Sequence, residues 1–201
     1  MLTCMLKDFR VGAVLLMAGE GTRFGGPIPK QFERLSGKKI FLHTLAVFLE
    51  AFWIDEIILV CPDSWVERVQ KEVGEKARVI SGGASRQESS FRGLKGFLQK
   101  PDIVLIHDAV RPFVTTDLLK KNAMGAMEWD AVDTCIPSSD TLVYAPQKET
   151  IEDIPIRSHY LRGQTPQSFR YDLIVKAHEK ALKGGIQNAS DDCQLVLRLG
   201  H

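Results

Sequence analysis

VGAVLLMAGEGTRFGGPIPKQ, residues 11–31, joins an apolar run to a glycine-rich loop that carries two cations, Arg23 and Lys30. In residues 11–18 no polar residue alternates with the apolar ones, the pattern of a strand buried on both faces of a parallel sheet. This run is expected to be the central strand. Gly19, Gly21, Gly25 and Gly26 remove Cβ atoms from the following turn, so backbone N–H groups can converge on an anion. Arg23 and Lys30 then set fixed positive charge beside those amides, which suits the phosphates of a nucleotide. The plainer alternative is a tight strand-to-helix turn whose Arg and Lys face solvent. The spacing excludes two better-known loops. A Walker A loop needs Gly-Lys followed by Ser or Thr, whereas Lys30 lies between Pro29 and Gln31. A dinucleotide fingerprint needs glycine where Phe24 stands.

Composition narrows the rest. With 201 residues, 44% of them apolar, the chain is long enough for one domain with a substantial core and short for two. Residues 1–201 are therefore expected to form a single domain. A net charge of +1 supplies no field for gripping nucleic acid or an anionic membrane, so basic residues that matter act locally. Cys4, Cys61, Cys135 and Cys193 are far apart and form no Cys-x-x-Cys pair, which fits a reducing, cytoplasmic setting. Lys7, Asp8 and Arg10 interrupt the first ten residues, and no stretch has the length and apolarity of a signal peptide or a membrane span.

After the loop, Phe41, Leu42, Leu45, Phe48, Leu49 and Phe52 recur at helical spacing, and residues 54–61 (IDEIILVC) read as a second strand closed by Pro62. Ser64 and Glu67 offer a capping box. Alternating strands and helices with short connections imply right-handed crossovers. The expected fold is α/β, a three-layer sandwich on a mostly parallel Rossmann-like sheet, with ligands gathered at the strands' C-terminal ends. A third strand, residues 78–81, runs into Gly82-Gly83-Ala84-Ser85-Arg86-Gln87-Glu88-Ser89 and a helix expected to bear Phe91, Leu94 and Leu98. The glycine pair lets backbone approach a flat ligand, with Arg86 and Ser89 at a helix start; a turn plus N-cap accounts for the segment equally well. Residues 102–107 (DIVLIH) form another buried strand that ends in Asp108-Ala109-Val110-Arg111-Pro112. Asp108 is placed either to hold Mg²⁺ or to close the turn through an ion pair with Arg111. His107, adjacent in the strand, points to the opposite face and reads as structural.

Thr116 is expected to cap a helix bearing Leu119, Ala123 and Met127, and residues 131–136 read as a strand. Residues 138–163 are polar and lack helical period, with β-formers interspersed. They are expected to form a protruding two-stranded β-arm, which needs a surface to pack on; a second subunit is the natural candidate. Residues 171–183 form a helix stopped by Gly184-Gly185, and Ser190-Asp191-Asp192 opens a last helix as an acidic cap.

G-x-G-x-R followed by P-K-Q resembles the sugar-phosphate nucleotidyltransferases, most closely the 2-C-methyl-D-erythritol 4-phosphate cytidylyltransferase family. Where that family's loop begins Pro-Ala-Ala-Gly, this chain has Leu16, Met17, Ala18 and Gly19, and the backbone donors of Met17, Ala18, Gly19 and Gly21 survive the change. The resemblance implies catalytic roles for Arg23 and Lys30. It also implies nucleotide binding by Gly82, Gly83, Arg86 and Ser89, which match the family's Gly-Gly-x-x-Arg-x-x-Ser, and Mg²⁺ binding by Asp108 within H-D-x-x-R-P. Acceptor contacts are implied for Arg111, Thr141, Arg157 and Thr165, with Thr141 and Arg157 reaching a neighbour's pocket from the arm of a homodimer. The implied substrates are CTP and a polyol phosphate, either methylerythritol phosphate or ribitol phosphate. The family also has a further strand and a segment with a second metal-facing aspartate and a phosphate-binding lysine, which find no counterpart before His201. A catalytically impaired nucleotide-binding homologue is therefore a further reading.

Overall fold

A computed structural model of the chain describes residues 6–19 and 28–200. Strand β1 (Val11–Leu16) is buried along its whole length and pairs in parallel with β4 (Glu56–Cys61) on one side and β6 (Ile103–Asp108) on the other. Two short strands, β2 (Arg34–Leu35) and β3 (Lys38–Lys39), form a separate hairpin, which positive φ at Ser36 and Gly37 allows to turn tightly. At one edge of the main sheet lies β5 (Arg78–Ser81) and at the other β7 (Ala131–Pro137). Only β8 (Leu161–Arg170) runs against its neighbours, antiparallel to both β6 and β7, and the complete order is β5-β4-β1-β6-β8-β7.

Alternation along β1 distributes the core into two layers. Val11, Ala13 and Leu15 enter one cluster with α1 (Ile40–Glu50), α2 (Val66–Val73) and α4 (Thr116–Trp129). Val14 and Leu16 enter the other with α3 (Arg86–Lys95), α5 (Tyr171–Lys183) and α6 (Cys193–Leu197). Helices thus cover both faces, which is the expected sandwich, and β1 lies inside the sheet as its buried sequence requires.

Several local expectations are corrected. The capping box at Ser64 and Glu67 does not form: residues 63–65 make a 3₁₀ turn and α2 has no side-chain cap. Thr115, not Thr116, caps α4, its Oγ1 accepting from Leu118 N–H at 3.2 Å. The arm has less β-structure than its composition suggests. Tyr144 and Asp153 make one isolated antiparallel bridge, and residues 161–163 belong to β8 instead. Val143, Tyr144, Ile151, Ile154 and Ile156 are all exposed on that segment.

Candidate functional site

The site sits where β1, β5 and β6 end. Past Leu16, Met17 N–H still donates to Val60 O at 2.8 Å, and then the chain leaves the sheet. Buried Gln31 holds the departing backbone, its Nε2 donating to Met17 O at 2.7 Å and to Gly19 O at 2.9 Å. This anchors Lys30 to the base of the first loop, and among the described residues no carboxylate pairs with Lys30. Arg23 and Gly21 lie outside the described residues.

The second loop leaves β5 and presses on the first. Gly82 N–H donates to Cys61 O at 2.8 Å, and a Cβ at Gly82 would lie 2.3 Å from Ala18 Cβ and 3.0 Å from Ser89 Oγ. Glycine is thus required by the contact between the loops. Ser89 braces the turn, accepting from Gly83 N–H at 3.0 Å and donating to Ser85 O at 2.9 Å. Ser85 is the N-cap of α3, its Oγ accepting from Glu88 N–H at 3.1 Å. The N-cap expected here is real, and it coexists with a ligand-sized space. A cavity of about 440 Å³ lies between the loops, lined by Leu16, Ala18 and Gly19 from one side and by Gly83, Arg86 and Ser89 from the other.

Asp108 ends β6 next to Leu16, which lines that cavity, although its own side chain is not part of the lining. It pairs in register with Leu16, and Ala109 N–H donates to Leu16 O at 2.9 Å. Its Oδ2 accepts from Arg111 Nε at 3.0 Å, so the ion pair foreseen as an alternative is present. Arg111 also reaches Gln164 Oε1 through Nη1. Among the described residues, Oδ1 of Asp108 carries no hydrogen bond, and no cluster of three His, Cys, Asp or Glu side chains stands ready to hold a metal by itself. One free carboxylate oxygen suits Mg²⁺, which takes few protein ligands and completes its shell with water and phosphate oxygens.

Antiparallel β8 brings Thr165 to the same place. Thr165 Oγ1 accepts from Asp108 N–H at 3.2 Å and lies 2.9 Å from His107 Nδ1, while His107 Nε2 lies 3.2 Å from Arg111 O. This network assigns the ring proton to Nε2. Burial pushes the His107 imidazole down to about 4, outweighing the Arg111 carbonyl and the nearby Asp108 carboxylate. His107 is therefore neutral and structural. Thr141 and Arg157 lie instead on the exposed segment, where Arg157 Nη1 donates to Ser139 O at 2.8 Å.

The sequence reading missed Asp192. It does not cap α6; Asp191 Oδ1 does, accepting from Gln194 N–H at 2.8 Å. The Asp192 carboxylate turns inward, fully buried, and accepts from Arg86 Nη1 at 2.7 Å, Ser90 Oγ at 2.7 Å and His178 Nε2 at 2.9 Å. Burial alone would raise its pKa, but the His178 hydrogen bond, the Arg86 charge and the Ser90 hydroxyl bring it down to about 2. Burial likewise works against the Arg86 cation, yet Asp192, then Asp108 and Asp191, hold its pKa above the ordinary value. A larger cavity, about 510 Å³, lies beside Phe91, His178 and Leu182; apart from Ser85 and its neighbours on the α3 turn it shares nothing with the loops, so the smaller one is the candidate site.

Comparison with known proteins agrees with this geometry. The family model described as 2-C-methyl-D-erythritol 4-phosphate cytidylyltransferase matches residues 11–201. A ribitol-5-phosphate cytidylyltransferase of Lactiplantibacillus plantarum is 36% identical over 199 residues, covering 94% of this chain and 85% of that protein. Among solved structures, the 4-diphosphocytidyl-2C-methyl-D-erythritol synthase of Anaerococcus prevotii has a TM-score of 0.84 at 28% identity, over 96% of this chain and 84% of that one. The 2-C-methyl-D-erythritol 4-phosphate cytidylyltransferase of Thermus thermophilus has a TM-score of 0.76 at 33% identity, over 94% and 84%.

Proposed function

We propose that this chain, which belongs to the 2-C-methyl-D-erythritol 4-phosphate cytidylyltransferase family, transfers the cytidylyl group of CTP to 2-C-methyl-D-erythritol 4-phosphate. Pyrophosphate leaves, and CDP-methylerythritol forms for isoprenoid precursor synthesis. One observation carries the reading: Leu16, Ala18 and Gly19 at the end of β1 and Gly83, Ser85 and Ser89 after β5 line a single cavity, with the Arg86 guanidinium on its wall. Ribitol 5-phosphate is the second reading for the acceptor, because the 36% identical relative bears that name. Both acceptors present the same nucleophile, a phosphate monoester.

Negative charge grows on the α-phosphoryl oxygens as the acceptor phosphate attacks in line. Lys30, Arg23 and the first-loop amides would supply positive potential there. Gly82, Gly83, Arg86 and Ser89 hold the nucleoside side of CTP, and Arg111 and Thr165 face the acceptor. The Asp108 carboxylate would hold Mg²⁺ in part, and the ion would supply positive charge against the phosphates. No general base is needed, since the second pKa of a phosphate monoester is about 6 and the acceptor is already a dianion at neutral pH. Buried His107, with both ring nitrogens engaged, is consistent with that.

The exposed apolar residues of 138–160 support a homodimer, in which Thr141 and Arg157 of one copy approach the acceptor pocket of the other. Cys61, Cys135 and Cys193 are unpaired, as a reducing cytoplasm would keep them. The test is a pyrophosphate-release assay crossing CTP, UTP, ATP and GTP with the two polyol phosphates. Turnover with CTP and methylerythritol phosphate is expected; preference for ribitol phosphate selects the second acceptor, and no pyrophosphate with either overturns the transferase reading.

A further inference from the structure

Arg86 reaches the cavity from the first turn of α3, where a long side chain has many rotamers and no reason of its own to prefer one. Its order comes from elsewhere. Nη1 is taken by Asp192 Oδ2 at 2.7 Å, and among the described residues its remaining N–H groups have no partner. The Asp192 side chain is 1% exposed, whereas that of Arg86 is 28% exposed, so the pair has one end in the core and one in the cavity.

Asp192 is itself held on three sides. Ser90 Oγ, one turn after Arg86 on α3, and His178 Nε2, on α5, both donate to Oδ1, and Asp192 N–H donates to Gln167 Oε1 at 3.1 Å. Gln167 in turn gives Nε2 to Asp133 Oδ1 at 3.0 Å, tying the cluster to β7 and β8. Both carboxylate oxygens are thus occupied, one by two fixed donors and the other by the guanidinium. Three side chains that do not line the cavity, Ser90, His178 and Gln167, thus define where one edge of Arg86 must lie.

We propose that Asp192 is a positioning residue for Arg86: its buried carboxylate fixes one edge of the guanidinium so that the other donors face the nucleotide cavity. This rests on the reading of that cavity as the CTP site. The carboxylate does not meet substrate; it sets the direction from which Arg86 does. Planar, forked donors lose little further freedom on binding when one edge is already held, which is the gain in using arginine here.

Asp192→Asn isolates the function. The Asn carbonyl can still accept from Ser90 and His178, but its amide sets a donor against Arg86 Nη1, so the contact to Arg86 alone is broken. The expected result is a rise of about tenfold in KM for CTP, the size of one charge-assisted hydrogen bond, with KM for the polyol phosphate unchanged. Arg86→Ala should raise KM for CTP at least as much, and Asp192→Asn added to it should change nothing further. If Asp192→Asn instead multiplies KM for CTP equally in the Arg86→Ala background, Asp192 acts through packing and the proposal falls while the nucleotide site stands. Should Arg86→Ala leave KM for CTP untouched, the cavity is not the CTP site and both ideas fail together. Ser90→Ala covers the case in which Asp192→Asn does not fold. It removes one support of the carboxylate, and a rise of about two- to threefold in KM for CTP is expected only while Arg86 is present.

Discussion

Gly82→Ala tests the contact between the two loops. The added methyl would lie 2.3 Å from Ala18 Cβ, which no rotamer can move aside, and 3.0 Å from Ser89 Oγ, which hydrogen bonds to Gly83 N–H and Ser85 O hold in place. Ordinary carbon–carbon contact lies at about 3.5–4.0 Å, so the loops must part by roughly 1 Å or more. Overpacking of this kind costs about 1–3 kcal/mol of stability. The larger effect is expected in catalysis, where a displacement of about 1 Å costs on the order of a hundredfold when reacting groups are held from both sides. Denaturant melts and steady-state kinetics with CTP are the measurements. The reasoning also specifies the remedy: Ala18→Gly removes the obstructing carbon, so the Gly82→Ala/Ala18→Gly pair should recover most of both losses. If Gly82→Ala is neutral, or if the second change rescues nothing, the loops are not in the contact described.

Lys30→Ala should lower kcat by about two to three orders of magnitude with little change in KM for CTP, since the role proposed for it sets its charge where the transition state gains charge; equal losses in both would refute that role. The His107 pKa of about 4 lies below the unfolded value of about 6.5, so below pH 6.5 the unfolded chain takes up a proton that the native one excludes. Its contribution is therefore complete above about pH 6.5 and is lost as pH falls towards about 4; urea melts at pH 7 and pH 5 should differ, and His107→Gln should reduce the difference. Ile154→Asp, on the exposed segment, tests the proposed homodimer: sedimentation should report a dimer for the unaltered chain and a monomer for the variant, with acceptor turnover falling more than CTP binding.

The strands and loops that position the cavity were legible because their signals are local. An unbroken apolar run can only be a doubly buried strand or a helix segment, and the glycine clusters after it settle which. β8 was invisible for the opposite reason. Leu161–Arg170 reads LRGQTPQSFR, polar and proline-containing, and becomes a strand because β6 and β7 offer ladder partners from distant sequence. Asp192 was misread for a related reason: next to Ser190 and Asp191 it has every local mark of a helix cap, while its partners Arg86 and Ser90 are 106 and 102 residues away. The Asp108–Arg111 pair shows a third case, in which spacing announced the contact but left open whether it was an end in itself or one side of a ligand site.

Arg86 takes its bearing from a residue made more than a hundred positions later. The part of the chain that carries both glycine motifs therefore does not by itself set the direction of its own guanidinium: a fragment ending before Ser190 keeps Arg86 and lacks the carboxylate that holds it.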